Sequence, residues 1–416
     1  MSPERLQILY VSPMPTSPPR SGAEARMHGL LSNLARRHEI SAVTLIDPHD
    51  DAALCARAMR EHCREVVLVP NPRGASGLSK RLLQARSALS RHSYERLRCT
   101  IPALQRAIDR IAGQRRFDVV NLEFPYLAHY RLRRAPAGER SPVVVLDAHD
   151  IAHEIVRQVA AGDGTWARRL YASVNWRKLR GDEFAAFGST DGIYTCSAAD
   201  ERRVRAALPT ARVAVIPNAA DVERFRPRPG DPPPDGRTVV FFGLLSTWPN
   251  TDGVLHFLRN IWPRIAAARP AARCKIIGAG PPASVMALAG PRVEVTGLVP
   301  DLRPHLAAAA ALVVPLRLGS GTRLKIVEGM AMAKAIVSTT LGAEGLDAVP
   351  GRDLLVADAP ADFADAVVRL LDDPGLAARL GEAGRRLAEE RYSWSAAAER
   401  LEGFFREILA AGAARP

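Results

Sequence analysis

The sequence predicts an α/β protein built from two doubly wound domains, and three observations carry that prediction. Short runs of apolar, β-branched residues alternate with longer stretches of helical period, the pattern of a parallel sheet covered by helices on both faces. The alternation stops at "RPRPGDPPPDG" (226–236), too rich in proline and glycine for regular structure, and then starts again. At 416 residues the chain also exceeds what one hydrophobic core usually serves.

In the first half the strands read "LQILYVS" (6–12), "EISAVTLI" (39–46), "EVVLVP" (65–70), "DVVNLE" (118–123), "PVVVLDAHD" (142–150), "GIYTCS" (192–197) and "VAVIPN" (213–218). Helical periods such as "AEARMHGLLSNLARR" (23–37) separate them. In the second half the strands are "TVVFFG" (238–243), "RCKIIGAG" (273–280), "VEVTG" (293–297), "ALVVPL" (311–316), "AIVST" (335–339) and "DLLVAD" (353–358). These elements place an N-terminal domain at 1–218, a linker at 219–236 and a C-terminal domain at 237–392. A last amphipathic helix follows at 393–416, able to cross back to the N-terminal domain. Two such domains would face each other across a cleft, with ligands at the carboxyl ends of the strands. Function is therefore sought in the strand-to-helix turns.

Composition narrows the class further. With 47% hydrophobic and 24% charged residues and no apolar run of about 18 residues, the chain reads as globular, without a spanning helix. "MSPERLQILYVSPMP" lacks the layout of a signal peptide, so a cytoplasmic protein is expected. Cys55, Cys63, Cys99, Cys196 and Cys274 form no close pair, which argues against a zinc site and a disulfide framework. The net charge is +13, and the segment Arg73 to Arg116 carries eleven cations against Glu95 and Asp109. Leu82, Leu83, Leu89, Tyr94, Leu97, Ile101 and Leu104 interleave with them, the makeup of basic amphipathic helices that lie on anionic bilayers. An arginine-rich solvated face is the competing reading, and no nucleic-acid motif accompanies the charge.

Three turns carry candidate chemistry. In "GSGTRLKIVEGMAMAKAIVST" (319–339) glycines precede a helix start, where unpaired N–H groups favour an anion such as phosphate. Arg323 and Lys325 add positive charge, and Glu328, about a turn on, can accept hydrogen bonds from sugar hydroxyls. An ordinary helix start with solvated charges fits the same residues. "VSPMPTSPPRSGAEARMHGL" (11–30) brings Ser21 and Gly22 to another helix start. "DAHDIAHE" (147–154) puts His149 at a strand end between Asp147 and Asp150, while His153 reads as structural.

"VIPNAADVERFRP" (215–227), a strand ending in Ile-Pro-Asn followed by Asp-x-x-x-Phe-x-Pro, resembles the segment joining the two domains of family-4 retaining glycosyltransferases. The N-terminal Ser-Gly turn, "HD" (149–150), "FFG" (241–243), "IIGAGP" (276–281), "VTGLVPDL" (295–302), "EGMAMAKAIVST" (328–339) and "YSW" (392–394) match that family's landmarks in order. The resemblance implies a GT-B fold, two Rossmann-like domains, with a UDP- or GDP-linked sugar held mainly by the C-terminal one and no metal or other cofactor. It implies that Gly297, Leu298 and Val299 contact the base and that Glu328 bonds the ribose. Gly22 would face the diphosphate and His149 the transferred sugar. Asn218, Gly243, Ser320, Gly321 and Thr322 fall in the same donor-binding landmarks.

The chain departs from the family in two places. An arginine and a lysine usually follow the first strand of the C-terminal domain, where Leu244 and Asn250 stand here. A second glutamate usually lies eight residues before the ribose ligand, where this chain has Ser320. Arg323 and Lys325 are the candidate replacements for the lost cations. Arg323 is preferred because guanidinium binds two phosphate oxygens at once, and Lys325 is expected to point away along the helix. The implied function is transfer of a sugar to a glycan or lipid-linked acceptor, with retention, in surface polysaccharide synthesis. A peripheral position at the inner face of the membrane follows from the same reading. A soluble-acceptor transferase, a nucleotide-sugar epimerase and an inactive GT-B binding protein are the alternatives.

Overall fold

The structure is a computed structural model that describes residues 5–73, 77–161, 166–319 and 321–413. Ser320 lies outside the described residues. The chain divides into two compact units, one of residues 1–216 with 397–416 and one of residues 217–396.

In the first unit seven parallel strands form one sheet: β1 (Gln7–Ser12), β2 (Glu39–Ile46), β3 (Glu65–Pro70), β4 (Val119–Glu123), β5 (Val143–Asp147), β6 (Gly192–Thr195) and β7 (Val213–Val215). Their order is β3-β2-β1-β4-β5-β6-β7, so the winding reverses between β1 and β4. Leu9, Val11, Leu122 and Leu146 of the strands pack with Ile108 and Ile111 of the helix Pro102–Gln114 in one core. The helix Gly22–Leu34 after β1 is capped at its start: Ser21 accepts from the Glu24 N–H, and Glu24 Oε2 reaches back to accept from the Arg20 N–H at 2.7 Å.

The second unit repeats the scheme with β8 (Thr238–Phe242), β9 (Arg273–Ile277), β10 (Val293–Gly297), β11 (Ala311–Val314), β12 (Ile336–Ser338) and β13 (Leu355–Val356). All pairings are parallel, in the order β10-β9-β8-β11-β12-β13, and the reversal falls between β8 and β11. In α/β sheets such reversals are where strand ends diverge and leave room for ligand.

Two differences from the sequence reading have plain causes. β5 stops at Asp147 because His149 takes a left-handed φ of 55°, which no strand accommodates. Residues after 218 are no free linker: Ala220 is buried in the core of the second unit, and its N–H donates to Tyr392 O at 2.8 Å. In the last helix, Trp394–Ala413, residues from 397 onward belong to the first unit, where Phe404 and Ile408 press against Gly192. A Cβ there would lie 2.9 Å from both side chains.

Candidate active site

In the second unit the site grows from the ends of β8 and β9. The Gly243 N–H donates to Ile277 O at 3.0 Å and the Leu245 N–H to Ala279 O at 2.9 Å, so the two turns are zipped together. Only glycine permits this approach, since a Cβ on Gly278 would sit 1.8 Å from Gly243 O. In the helix Trp248–His256, Asn250 Nδ2 donates to Leu244 O and Thr247 Oγ1, both at 3.0 Å. That holds Asn250 Oδ1 in place to accept from Lys325 Nζ at 2.6 Å.

Lys325 therefore does not point away along its helix, Leu324–Ala331. Its ammonium turns to the end of β8, 4.1 Å over the Phe241 ring and beside Gly243, drawn by the ring's negative face and the amide oxygen. It occupies the neighbourhood of Leu244 and Asn250, where the family resemblance places a pair of cations. Burial, with Arg323 adding to it, lowers the Lys325 pKa to about 7. Glu328 is pushed up to about 7 by burial, against the pull of Lys325 and Arg224. At neutral pH both groups stand at the edge of their charge change.

The loop before that helix is shaped around Arg323. Gly319 has a φ of 132°, and its missing Cβ would lie 2.8 Å from Arg323 Nη2, so the guanidinium rests against bare backbone. Gly321 is left-handed, with a φ of 72°, and Thr322 is buried with its carbonyl accepting from Asn218 Nδ2 at 2.9 Å. Asn218 thus supports this loop. Gly297 closes β10 after a register shift, with a φ of 70° and open space where a Cβ would be. Leu298 beside it is exposed, while Val299 packs against the core.

The first unit holds a buried charge cluster. His149 Nε2 meets Glu123 Oε2 at 2.5 Å, and its backbone N–H donates to Asp147 Oδ1 at 3.0 Å. Asp147 in turn accepts from Arg26 Nε at 2.7 Å and from Nη2 at 3.2 Å, while Arg26 Nη1 donates to Ile216 O. Glu123 Oε1 accepts from Asn121 Nδ2 at 2.7 Å, and Tyr194 Oη donates to Asn121 Oδ1 at 2.9 Å. Burial works against a charged imidazole, but Asp147 and Glu123 outweigh it and raise the His149 pKa. Phe124 stacks on the His149 ring at 3.8 Å and on Tyr126 at 5.1 Å. Glu123, Asp147 and His149 bring ligand-type atoms within 4.8 Å of one another, and Arg26 already supplies a cation to Asp147.

Sequence reasoning singled out His149 and missed Arg26 and Glu123. An acid closing the strand run "VVNL" was the available signal for Glu123. Arg26 had none, for nothing in "AEARMHGL" marks its guanidinium as buried. At Gly22 the helix start already carries the buried carboxylate of Glu24. His153, read as structural, binds Glu183 Oε2 through Nδ1 at 2.5 Å.

A family model described as Glycosyltransferase Family 4 matches residues 20–224, and one described as Glycosyl transferases group 1 matches residues 236–373. Among curated relatives, a GDP-mannose-dependent monoacylated alpha-(1-6)-phosphatidylinositol monomannoside mannosyltransferase of Corynebacterium glutamicum is 28% identical over 45% of this chain and 54% of its own. An MMP alpha-(1->4)-mannosyltransferase of Mycolicibacterium hassiacum is 29% identical over 74% of this chain and 75% of its own. The chain thus spans about half the length of the first and three quarters of the second. Among solved structures, sucrose-phosphate synthase of Thermosynechococcus elongatus superposes with a TM-score of 0.72 at 18% identity, covering 98% of this chain and all of that one. HepE of Anabaena, solved with UDP and glucose, gives 0.66 at 15% identity, covering 97% and 100%. Two parallel-sheet units with these windings make this a GT-B protein. With both halves matched, the chain belongs to the family-4-like glycosyltransferases.

Proposed function

We propose that the protein transfers a sugar from a UDP- or GDP-linked donor to a glycan or lipid-linked acceptor, with retention, in surface polysaccharide synthesis at the cytoplasmic face of a membrane. The observation that carries the reading is Lys325 Nζ at the β8 turn, with Arg323 and Glu328 on the same loop-helix segment. As the glycosidic C–O bond breaks, its electron pair stays on the diphosphate, and two preorganised cations meet the charge that develops. Lys325 and Arg323 share that task, so no metal is needed for it. Glu328 accepts hydrogen bonds from the ribose, and the backbone at Gly297, Leu298 and Val299 faces the base. In the first unit His149 is the group for the transferred sugar, its ring fixed by Glu123 and Phe124. The acceptor hydroxyl attacks the anomeric carbon from the side the phosphate leaves, and its proton passes to the departing phosphate oxygen. A nucleotide-sugar donor is also supported by the relatives' descriptions, one naming GDP-mannose and HepE having been solved with UDP-glucose.

The test is a panel of nucleotide sugars with release of nucleoside diphosphate as the readout, followed by NMR of the product anomer. The reading expects release from one donor class and retention in the product. Lys325→Ala and Arg323→Ala should each lower kcat/KM by about 100-fold. Release from none of the donors, with nucleotides still raising the melting temperature, would make the protein a binding protein. An inverted product would remove the same-side route.

A further inference from the structure

The basic segment 73–116 does not form one solvated face. Arg96 pairs with Asp182, Arg98 with Asp47 and Arg115 with Glu65, while Arg73 donates to the carbonyls of Leu97 and Thr100. Of the cations left exposed, Lys80, Arg81 and Arg86 stand on the helix Leu78–Leu89 and Arg91 just beyond it, while Arg106, Arg110 and Arg116 lie elsewhere. That helix lies against the long helix Trp166–Ser189: Ser87 Oγ meets Tyr171 Oη at 2.9 Å, and Lys178 Nζ donates to Ser87 O at 2.7 Å and Ala88 O at 2.9 Å.

Both helices turn apolar side chains to solvent at helical spacing. Leu82 is 63% exposed and Leu89 95% on one, Trp166 79% and Leu170 59% on the other, with Val174 a turn beyond. Of the nine large apolar side chains exposed among the described residues, these are five. A scattered exposed leucine needs no explanation, but five on two touching helices form a patch. Neither 78–91 nor 166–181 contains an aspartate or glutamate, while Arg169, Arg177 and Arg180 add to the cations of the first helix. Among the described residues, none of Lys80, Arg81, Arg86, Arg169, Arg177 and Arg180 forms an ion pair with a carboxylate.

We propose that the adjoining faces of these two helices are a docking surface for an anionic lipid bilayer. Exposed leucine and tryptophan on the same two helices as exposed lysine and arginine match a surface whose headgroups are negative and whose acyl boundary is apolar. A nucleic acid would use the cations and leave the leucines in water. The inference rests on the proposed function for its purpose, since a lipid-linked acceptor lies at such a surface. Vesicle binding and donor turnover are measured separately and fail separately.

The experiment is co-sedimentation of the full chain with vesicles of phosphatidylglycerol and phosphatidylcholine, against phosphatidylcholine alone, at low and high salt. Two double variants are compared, Leu82→Glu with Leu170→Glu and Lys80→Gln with Arg81→Gln, all at exposed positions where folding is not at stake. Binding to the anionic vesicles, released by salt, is expected. The glutamate pair should weaken it at least ten-fold and the glutamine pair about five-fold per cation. Trp166 should shift its emission to the blue on binding, read as the difference from Trp166→Phe. Equal sedimentation with neutral vesicles overturns the proposal. So does unchanged binding of the glutamate pair, which would leave a general polyanion site. A concentration-dependent dimer abolished by Leu170→Glu, with no vesicle binding, would assign the patch to a second copy and also overturn it.

Discussion

Lys325 and Glu328 bring opposite pH demands to one segment. Lys325, with a pKa of about 7, must be protonated to hold a diphosphate, so anion binding takes up a proton above that pH and affinity falls as pH rises. Glu328, also near 7, must be ionised to accept ribose hydroxyls, so affinity falls as pH drops. The expected profile of nucleotide affinity is a bell centred near neutrality, whose limbs belong to the coupled pair. Glu328→Gln should flatten the acid limb and Lys325→Met the alkaline one, with calorimetry in buffers of different ionisation heat counting the protons. A bell unchanged in both variants would place the titration elsewhere. His149 offers the matching test in the first unit. Its pKa is raised, so the charged ring stabilises the fold fully below its ordinary pKa of 6.5 and this is lost as pH rises through the raised value. Glu123→Gln should move the His149 titration, followed by NMR, back toward the ordinary value. Loss of a carboxylate from this buried cluster should also cost about 3 kcal/mol, read by denaturant unfolding.

At the scale of elements, the turns after β8 and β9 act as one piece. Gly278→Ala would force a Cβ into Gly243 O, at a φ of 155° that side chains rarely adopt. The expected loss is about 2–4 kcal/mol in denaturant unfolding, together with nucleotide affinity, because Leu244 O of the turn opposite holds Asn250, which in turn positions Lys325. Loss of stability with affinity intact would separate the turn from the site. This level was also the most legible in the sequence. Every strand run was visible because parallel strands buried on both faces read as unbroken apolar stretches, and the residues between them carried the helical period. Strand ends were less so: β5 was read to 150 because nothing in "LDAHD" announces that His149 turns left-handed. Side-chain direction was least legible of all. Lys325 was a candidate cation whose side chain was expected to run along its helix, because helical position alone sets only its face, while Asn250 Oδ1 and the Phe241 ring, seventy-five and eighty-four residues earlier, decide where its ammonium goes.

For the whole molecule, the last helix ties the end of the chain to the first unit, across the entire sequence of the second. Residues 397–416 group with residues 1–216, and Leu401, Phe404, Phe405 and Ile408 are buried. Glu402 fixes the polar side of that seam, forming an ion pair with Arg37 Nε at 3.1 Å and accepting hydrogen bonds from Arg406. Stability of the first unit should therefore depend on this helix, far away in sequence, whereas the second, with its own sheet and core, should not depend on it. Phe405→Ala is expected to cost the first unit about 3–5 kcal/mol through the cavity it leaves. Calorimetry should then show one transition moving down while the other stays, and the unmoved one should still rise on addition of UDP or GDP, because a ligand that binds only the folded state stabilises the unit that holds it. A common downward shift of both transitions would mean that the helix stabilises the two units as one cooperative body. A nucleotide response confined to the weakened transition would move the donor site out of the second unit.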